Sequence, residues 1–457
     1  MIRIIIALFL LHTAFIASIA HASDFDVTKF GAIGDGTTSN TTAIQKVVDV
    51  CTAAGGGTIY FPAGRYLTGT IQLKDGVMLH LDENAVIIGA TDKAEYRNLE
   101  PFTSGDGGKF GEALIVAIDA KNVGIDGTGT IDGQGKPLAA GAAKTAMRPF
   151  LIRWVRCKNI TERDVHLLHP SAWTNVFAQC DGATVENLNI RSRTKGLPNT
   201  DGIDLDSSKN VTIKNCDIES GDDAICIKAT YPVPSANIQI SGCTLSTLTS
   251  TIKVGTESLG DFSNISVSDC KITQAGFGGI SLYSVDGADM HDIRISNLAM
   301  DNVDGAINFR LGSRLKTFHP GDTKKPVGAI HDISITNVRA THVKLIGILL
   351  NGIPGHRIEN VKFQNIDLQM NGGGTDSDAK TQLAEKEAAY PEINMFGKSV
   401  PSYGIYARHI NGITFDHVQM QVAKPDARPA TVFIDVDGLA PVNFGAISSP
   451  ATMPGQN

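Results

Sequence analysis

Beyond its leader, the chain has no apolar stretch long enough to cross a membrane. It also lacks a basic surplus. Its 40 Lys and Arg against 47 Asp and Glu leave a formal charge of −7, which excludes the electrostatic footprint of a nucleic-acid binder. Aromatic residues are sparse at 6%, and long helical periodicity is nearly missing, whereas glycine is plentiful at 47 residues. That balance points to a β-rich, turn-rich chain. The His residues, including His166, His169 and His291, are scattered without the short spacings of metal ligands, so no metal or cofactor is expected. Gly31-Ala-Ile-Gly-Asp-Gly36 has no Lys-Ser/Thr ending and opens no strand–loop–helix unit, so it is not a phosphate loop.

The first residues carry an address. Arg3, the apolar run Ile4 to Leu11 and the small-x-small end Ala20-His21-Ala22 predict a secretory signal over residues 1–22. No Cys follows the cleavage site, so a lipid anchor is not indicated, and the mature protein is expected in the periplasm or outside the cell. No linker divides residues 23–457, which predicts a single domain. Seven Cys in an exported chain invite disulfides. However, Cys216, Cys243 and Cys270 recur every 27 residues at one place in a repeated phrase. Stacked, buried thiols are the preferred expectation, with a coil-to-coil bridge as the alternative.

What the chain does have is a rhythm. Asn122-Val-Gly-Ile-Asp126 opens a phrase that returns at Asn159, Ala183, Asn210, Asn237, Asn264, Asp292 and Asp332. The central steps are 24, 27, 27, 27 and 28 residues, and the outer ones stretch to 37 and 40. Strand-and-turn periods of this size, with no helices between them, mean a solenoid. An all-β, parallel β-helix accounts for it. One coil cannot bury its own apolar face, but coils stacked about 4.8 Å apart build continuous sheets around a shared core.

The ladder is legible in the letters. Ile203 and Leu205, Ile225 and Ile227, Ile252 and Val254, Ile280 and Leu282, then Ile307 and Phe309 are alternating pairs that should point inward. Their neighbours should point out: Asp204 and Asp206, Cys226 and Lys228, Lys253, Ser281 and Tyr283, Asn308 and Arg310. The first two pairs are offset by 22 residues and the acidic motifs beside them by 21, which predicts a one-residue bulge near Gly202 or Gly221. Ahead of the array, Ile44, Val47, Val48 and Cys51 form one helical stripe, capped by Ser39 or Asn40 and stopped by Gly55-Gly-Gly57. Such a helix is suited to cover the open end of the coil. A polar excursion, Asn371 to Pro401, leaves the rhythm, and Lys380 to Ala389 within it is expected as a short surface helix.

The chemistry gathers at Asn199-Thr-Asp-Gly202 and Gly221-Asp-Asp223, about one coil apart. Stacking would bring Asp201, Asp222 and Asp223 onto one outer surface. Glycosidic hydrolysis needs an acid for the leaving oxygen and a carboxylate for the water or the sugar. Crowding like charges raises one pKa, so one group stays protonated as the acid. The plainer alternative is that Asp-rich turns are only turn formers.

These motifs resemble the polygalacturonase-like pectin hydrolases, glycoside hydrolase family 28. The opening is similar too: Val27-Thr-Lys-Phe-Gly-Ala-Ile-Gly-Asp-Gly36, then Gly55-Gly-Gly-Thr-Ile-Tyr-Phe-Pro-Ala-Gly64. The resemblance implies a right-handed parallel β-helix and inverting, metal-free hydrolysis. It implies Asp222 as general acid, Asp201 and Asp223 as holders of the attacking water, and Asn199 as a shaping residue. Two elements depart from the family. Ser250, in Thr249-Ser-Thr251, stands where the resemblance expects the His of Gly-His-Gly, and Ser281-Leu-Tyr283 replaces Arg-Ile-Lys. Similar departures mark relatives that act on rhamnogalacturonan or other pectic side structures. Lys253 and Arg310, on the expected outer face, are substitutes for gripping a uronate carboxylate, with Arg314 behind them. Glu257 is expected in a loop, and Trp173 either stacks a sugar or fills the core. The expected partner is thus a pectic polysaccharide or oligosaccharide. Two other readings stay open. One is a polysaccharide lyase using Ca²⁺ and Lys253 as base, and the other is a non-catalytic glycan-binding β-helix.

Overall fold

A computed structural model describes residues 25–103, 109–139 and 148–447; the leader expected over 1–22 lies outside them. Among the described residues no helix is long and apolar enough to cross a membrane. The chain winds as a right-handed parallel β-helix. Among the described residues the strand pairings are parallel, except where Asn98–Thr103 runs antiparallel to Lys109–Ile118 and at the isolated antiparallel bridge between Ile353 and His356. Three walls stack coil upon coil. One carries the repeated phrase, Lys121–Gly127 through Lys209–Lys214 to Phe262–Ser268. A second runs from Thr130–Asp132 through Asp217–Ser220 to Thr244–Thr247. The third, from Phe150–Val155 through Ile203–Asp206 and Ile225–Ala229 to Val303–Leu311, carries the site.

The repeated phrase is a turn as well as a strand signal. Its Asn or Asp takes positive φ at Asn122, Asn159, Asn210, Asn237, Asn264, Asp292 and Asp332, and Gly182 fills the place in the remaining coil. Asn tolerates this left-handed corner better than most side chains. Its amide also bridges coils: Asn237 Nδ2 donates to Asn210 Oδ1 at 3.0 Å, and Asn264 Nδ2 to Asn237 Oδ1 at 2.9 Å. A second ladder runs from Asn297 through Asn337 to Asn365, with Asn337 and Asn365 each donating to the asparagine of the coil before at 2.9 Å.

The inward ladder forms as expected. Ile203 stands opposite Ile225, then Ile252, Ile280 and Ile307, and all five are buried. Each such side chain contributes roughly 1.5–3 kcal/mol by leaving water. Pairing of the first two strands runs unbroken from Ile203 opposite Ile225 to Asp206 opposite Lys228, so the expected bulge is not in the ladder. The register adjusts in the turn before it, where Gly221 N–H bonds Thr200 O and Gly202 N–H bonds Asp223 O. A turn has no ladder bonds to break, so it absorbs the mismatch more cheaply than a strand.

The helix Thr41–Ala53 buries Ile44, Val47, Val48 and Cys51 over the first coil. Asn40 stands at its cap position, but its amide bonds Ile33 and the carbonyls of Thr38 and Leu67 instead of the helix. The seven Cys are buried free thiols. In the excursion, the short helix is Asp376–Ala379, started by a Thr375/Asp378 capping box, and not Lys380 to Ala389. Carbonyls of that expected helix are taken from outside. Arg408 bonds Leu383 O, Arg310 bonds Glu385 O and Lys386 O, and Ser313 N–H bonds Glu387 O. The segment is thereby pinned as an extended strap across the third wall.

One carboxyl is inside the tube. Glu162 accepts from Trp154 Nε1 at 2.9 Å and contacts Asn175 Nδ2, while Asn175 Oδ1 is buried without a partner. Burial pushes Glu162 up to about 7, opposed by these two donors. Its favourable protonated state is fully expressed below the ordinary value of 4.5 and is lost as pH rises to about 7. Glu162→Gln mimics the protonated acid and can donate to Asn175 Oδ1. In urea titrations its stability relative to the parent should rise by about 3 kcal/mol from acid to neutral pH. A gap independent of pH would contradict the assignment.

Candidate active site

The third wall turns its outer row toward a cleft of about 600 Å³. The turns before Ile203 and Ile225 deliver Asp201, Asp222 and Asp223 to one rim, because coil stacking leaves those turns side by side. One oxygen from each carboxylate lies within 4.8 Å of the others. The expected convergence therefore occurs, and two of the three groups are deeper than a surface would make them. Asp201 and Asp223 are each only 3% exposed.

Their surroundings differ. Asp223 Oδ2 accepts from Lys253 Nζ at 2.9 Å, and its Oδ1 accepts from Ser250 N–H at 3.2 Å. Thr249 Oγ1 lies 3.0 Å from Asp223 Oδ1 and 3.2 Å from Asp222 Oδ1. Burial opposes ionisation of Asp223, but Lys253 and these donors outweigh it and hold the carboxyl below its usual range. Asp222 accepts from Asn199 N–H at 3.2 Å and from Asp223 N–H at 3.0 Å. Burial and the neighbouring Asp223 charge push Asp222 up. Asp201 is also raised, by burial and then by Asp204 and Asp222, and its Oδ1 is buried without a hydrogen-bond partner.

Two buried ammonium groups balance the cluster. Lys253 contacts Asp223 and lies 3.6 Å from Glu392. Lys228 lies 2.9 Å from Asp204 and 3.9 Å from Asp201, with its Nζ 3.8 Å from the centre of the Trp173 ring. Burial lowers the proton affinity of both lysines, but the surrounding acids win and raise it. Asp204 is pushed up to about 6 by burial, with Lys228 opposing.

Asn199 lines the cleft, and its Oδ1 is held by Arg148 Nη2 at 2.9 Å. Lys253 lines it too, although its charge is engaged by Asp223. Arg310 does not. The strap covers its part of the outer row, so the guanidinium holds Gly352 O, Glu385 O and Lys386 O and is unavailable to a sugar. "Outward" from the coil was the right direction for this row, but the strap and flanking loops bury it. Glu257 belongs to the strand Ile252–Ser258 and lines the cleft 3.8 Å from Arg314. Trp173 lines it as well, packed on Phe150 with centroids 5.4 Å apart. Ser250 and Ser281 meet oxygen to oxygen at 3.2 Å, and Tyr283 OH accepts from Asn308 at 2.6 Å.

Sequence reasoning did not find Arg148, Tyr390 and Glu392, and it placed Lys228 only as outward. Tyr390 and Glu392 arrive on the strap, whose path depends on Arg310 and Arg408 reaching its carbonyls. No periodicity marks such residues.

A model of the glycosyl hydrolases family 28 matches residues 51–390. The chain belongs to glycosyl hydrolase family 28. It is therefore a glycoside hydrolase. Over 365 residues it is 27% identical to a probable polygalacturonase of Vitis vinifera, covering 75% of this chain and 73% of that protein. Over 286 residues it is 32% identical to an endo-polygalacturonase of Pectobacterium parmentieri, covering 58% and 69%. Among solved structures, the polygalacturonase from Erwinia carotovora ssp. carotovora superposes with a TM-score of 0.61 at 27% identity, over 73% of this chain and 91% of that one. A hyperthermoactive exopolygalacturonase from Thermotoga maritima shares the fold, with a TM-score of 0.63 at 21% identity over 76% and 86%. Glu392, which lines the cleft, lies just past the matched region.

Lys253 is the test of how the site is balanced. Lys253→Met leaves Asp223 buried without its partner, a change that costs about 3–5 kcal/mol in comparable buried pairs. The melting temperature should fall. Asp223 should also titrate at higher pH, moving the acid limb of the pH–rate profile upward. An unmoved acid limb in a folded variant would show that Lys253 does not hold Asp223 ionised.

Proposed function

We propose that this family 28 enzyme hydrolyses glycosidic bonds in a pectic polysaccharide or its oligosaccharides with inversion, using Asp222 as general acid. The carrying observation is the division between two adjacent carboxyls: Asp222 is raised toward protonation, while Asp223, against Lys253, is kept ionised. Such a split lets one pair supply acid and base together. Asp222 gives its proton to the leaving oxygen, and Thr249 Oγ1, within reach of both carboxyls, orients it. Asp201 and Asp223 receive a water between them. The buried, unpartnered Oδ1 of Asp201 offers it an acceptor.

Inversion fits the state of Asp223 better than covalent attack does. Both its oxygens are tied, one by Lys253 and the other by Thr249 and Ser250. A carboxylate so held can still accept a proton from water, but it attacks carbon poorly. The short spacing of the acids taken alone would suit a retaining pair, so stereochemistry is a separate test. Lys253 is a poor proton abstractor, since its neighbours raise its proton affinity, and this disfavours the lyase reading. A polyuronate as substrate rests on the polygalacturonase relatives. Export through the leader at residues 1–22 suits a polymer too large to enter a cell.

Asp222→Asn keeps the shape of the group and removes its acid. Hydrolysis of homogalacturonan or rhamnogalacturonan should drop at least about 10³-fold while circular dichroism stays unchanged. Full activity in that variant would remove Asp222 from the mechanism. Proton NMR of the first-formed product should show the inverted anomer, and the retained anomer would assign Asp201 or Asp223 as nucleophile.

A further inference from the structure

The family resemblance expects a carboxylate-gripping Arg and Lys at positions held here by Ser281 and Tyr283, whose buried hydroxyls carry no charge. A uronate must therefore find its cation elsewhere in the cleft. Among the described residues five cationic side chains line it: Arg148, Lys228, Lys253, Arg314 and Lys316. Four are already engaged. Arg148 holds the carbonyls of Ser171 and Pro198 and the amide oxygen of Asn199. Lys228 is paired with Asp204 and Lys253 with Asp223, each at 2.9 Å. Arg314 grips Asp286, its Nε 2.8 Å from Oδ1 and its Nη2 2.5 Å from Oδ2. Drawing any of the three ion-paired cations onto a substrate would strip a buried carboxylate of its partner.

Lys316 is different. Among the described residues no carboxylate oxygen lies within 4.0 Å of its Nζ, which stands over the Phe318 ring, 5.8 Å from the centroid. Its backbone, by contrast, is fixed. Lys316 N–H donates to Asp286 Oδ1 at 3.0 Å, and Leu315 N–H to Val285 O at 2.9 Å. The segment from Gly312 thus runs back beside residues 284–286, where the floor strands end, on the side of the cleft away from the aspartate turns. A four-carbon stem on an anchored backbone gives a mobile cation with defined reach.

We propose that Lys316 is the specificity-determining cation that receives the carboxylate of an anionic sugar unit, in place of the floor residues used elsewhere in the family. The inference rests on the reading of the substrate as a polyuronate. It moves the carboxylate grip from the floor of the cleft to its far wall. The contact acts on substrate binding and leaves the acid–base pair untouched.

The test is calorimetric titration of a short oligogalacturonide and its methyl ester into the full-length Asp222→Asn protein at low salt. Adding Lys316→Met should weaken binding of the acidic oligomer about tenfold, with the neutral ester bound within about twofold. Lys316→Arg should keep the acidic oligomer within about threefold, because it restores the charge at the same reach. Undiminished binding of the acidic oligomer by the Met variant overturns the inference, as does an equal loss for the ester. Binding is read apart from turnover, so an Asp222→Asn protein that still hydrolyses would refute the general acid and leave the Lys316 comparison standing. A parent that binds no oligogalacturonide would refute the inference and the polyuronate reading together.

Discussion

Coil-on-coil pairing is the constraint from which the rest of this structure follows. Each strand satisfies its backbone groups with the coil before and the coil after, so no coil can change its strands without disturbing both neighbours. Aliphatic pairs such as Ile225 and Ile227 recur because the tube interior repeats, and the asparagine corners recur because each turn must reverse at the same place. Variation is driven into turns and insertions. The slip beside the aspartates falls in the turn before Ile203, and the long departure between Asn371 and Pro401 leaves the stack as a strap.

That constraint also explains the electrostatics of the cleft. The outer row of a β-helix wall would ordinarily be wet, and charges there would be weakly coupled. Here the strap and flanking loops bury it, so Asp204, Asp223, Lys228 and Lys253 interact at short range with little water between them. Burial alone would raise every carboxyl. The uneven placement of two ammonium groups is what separates the acids, since Lys253 sits on Asp223 and not on Asp222.

The legible part of the site was the part tied to the repeat. Asp201 lies one coil before the adjacent Asp222 and Asp223, so their meeting followed from the period, as did the inward pairs, while the capping stripe at Ile44 to Cys51 followed from helical spacing. Arg310 shows the limit. Its direction was readable from alternation, but its carbonyl partners on the strap were not, and they convert an expected sugar contact into a structural clamp. The expected helix at Lys380 to Ala389 failed for the same reason from the other side, since arginines far along the chain took its carbonyls. Glu257 was misplaced because its strand holds extra residues at a register shift, between the pairs Ile227–Val254 and Ala229–Ser258.

The amino-acid sequence by itself determined the solenoid, its register along the inward ladder and the convergence of three aspartates. All of these depend on spacing, and spacing maps directly onto position when every coil repeats. Only the tertiary structure decided which charges are paired, which carboxyl is kept ionised, and which residues of the strap reach the cleft. Those depend on contacts between segments tens of residues apart, through side chains whose reach and burial no local pattern encodes.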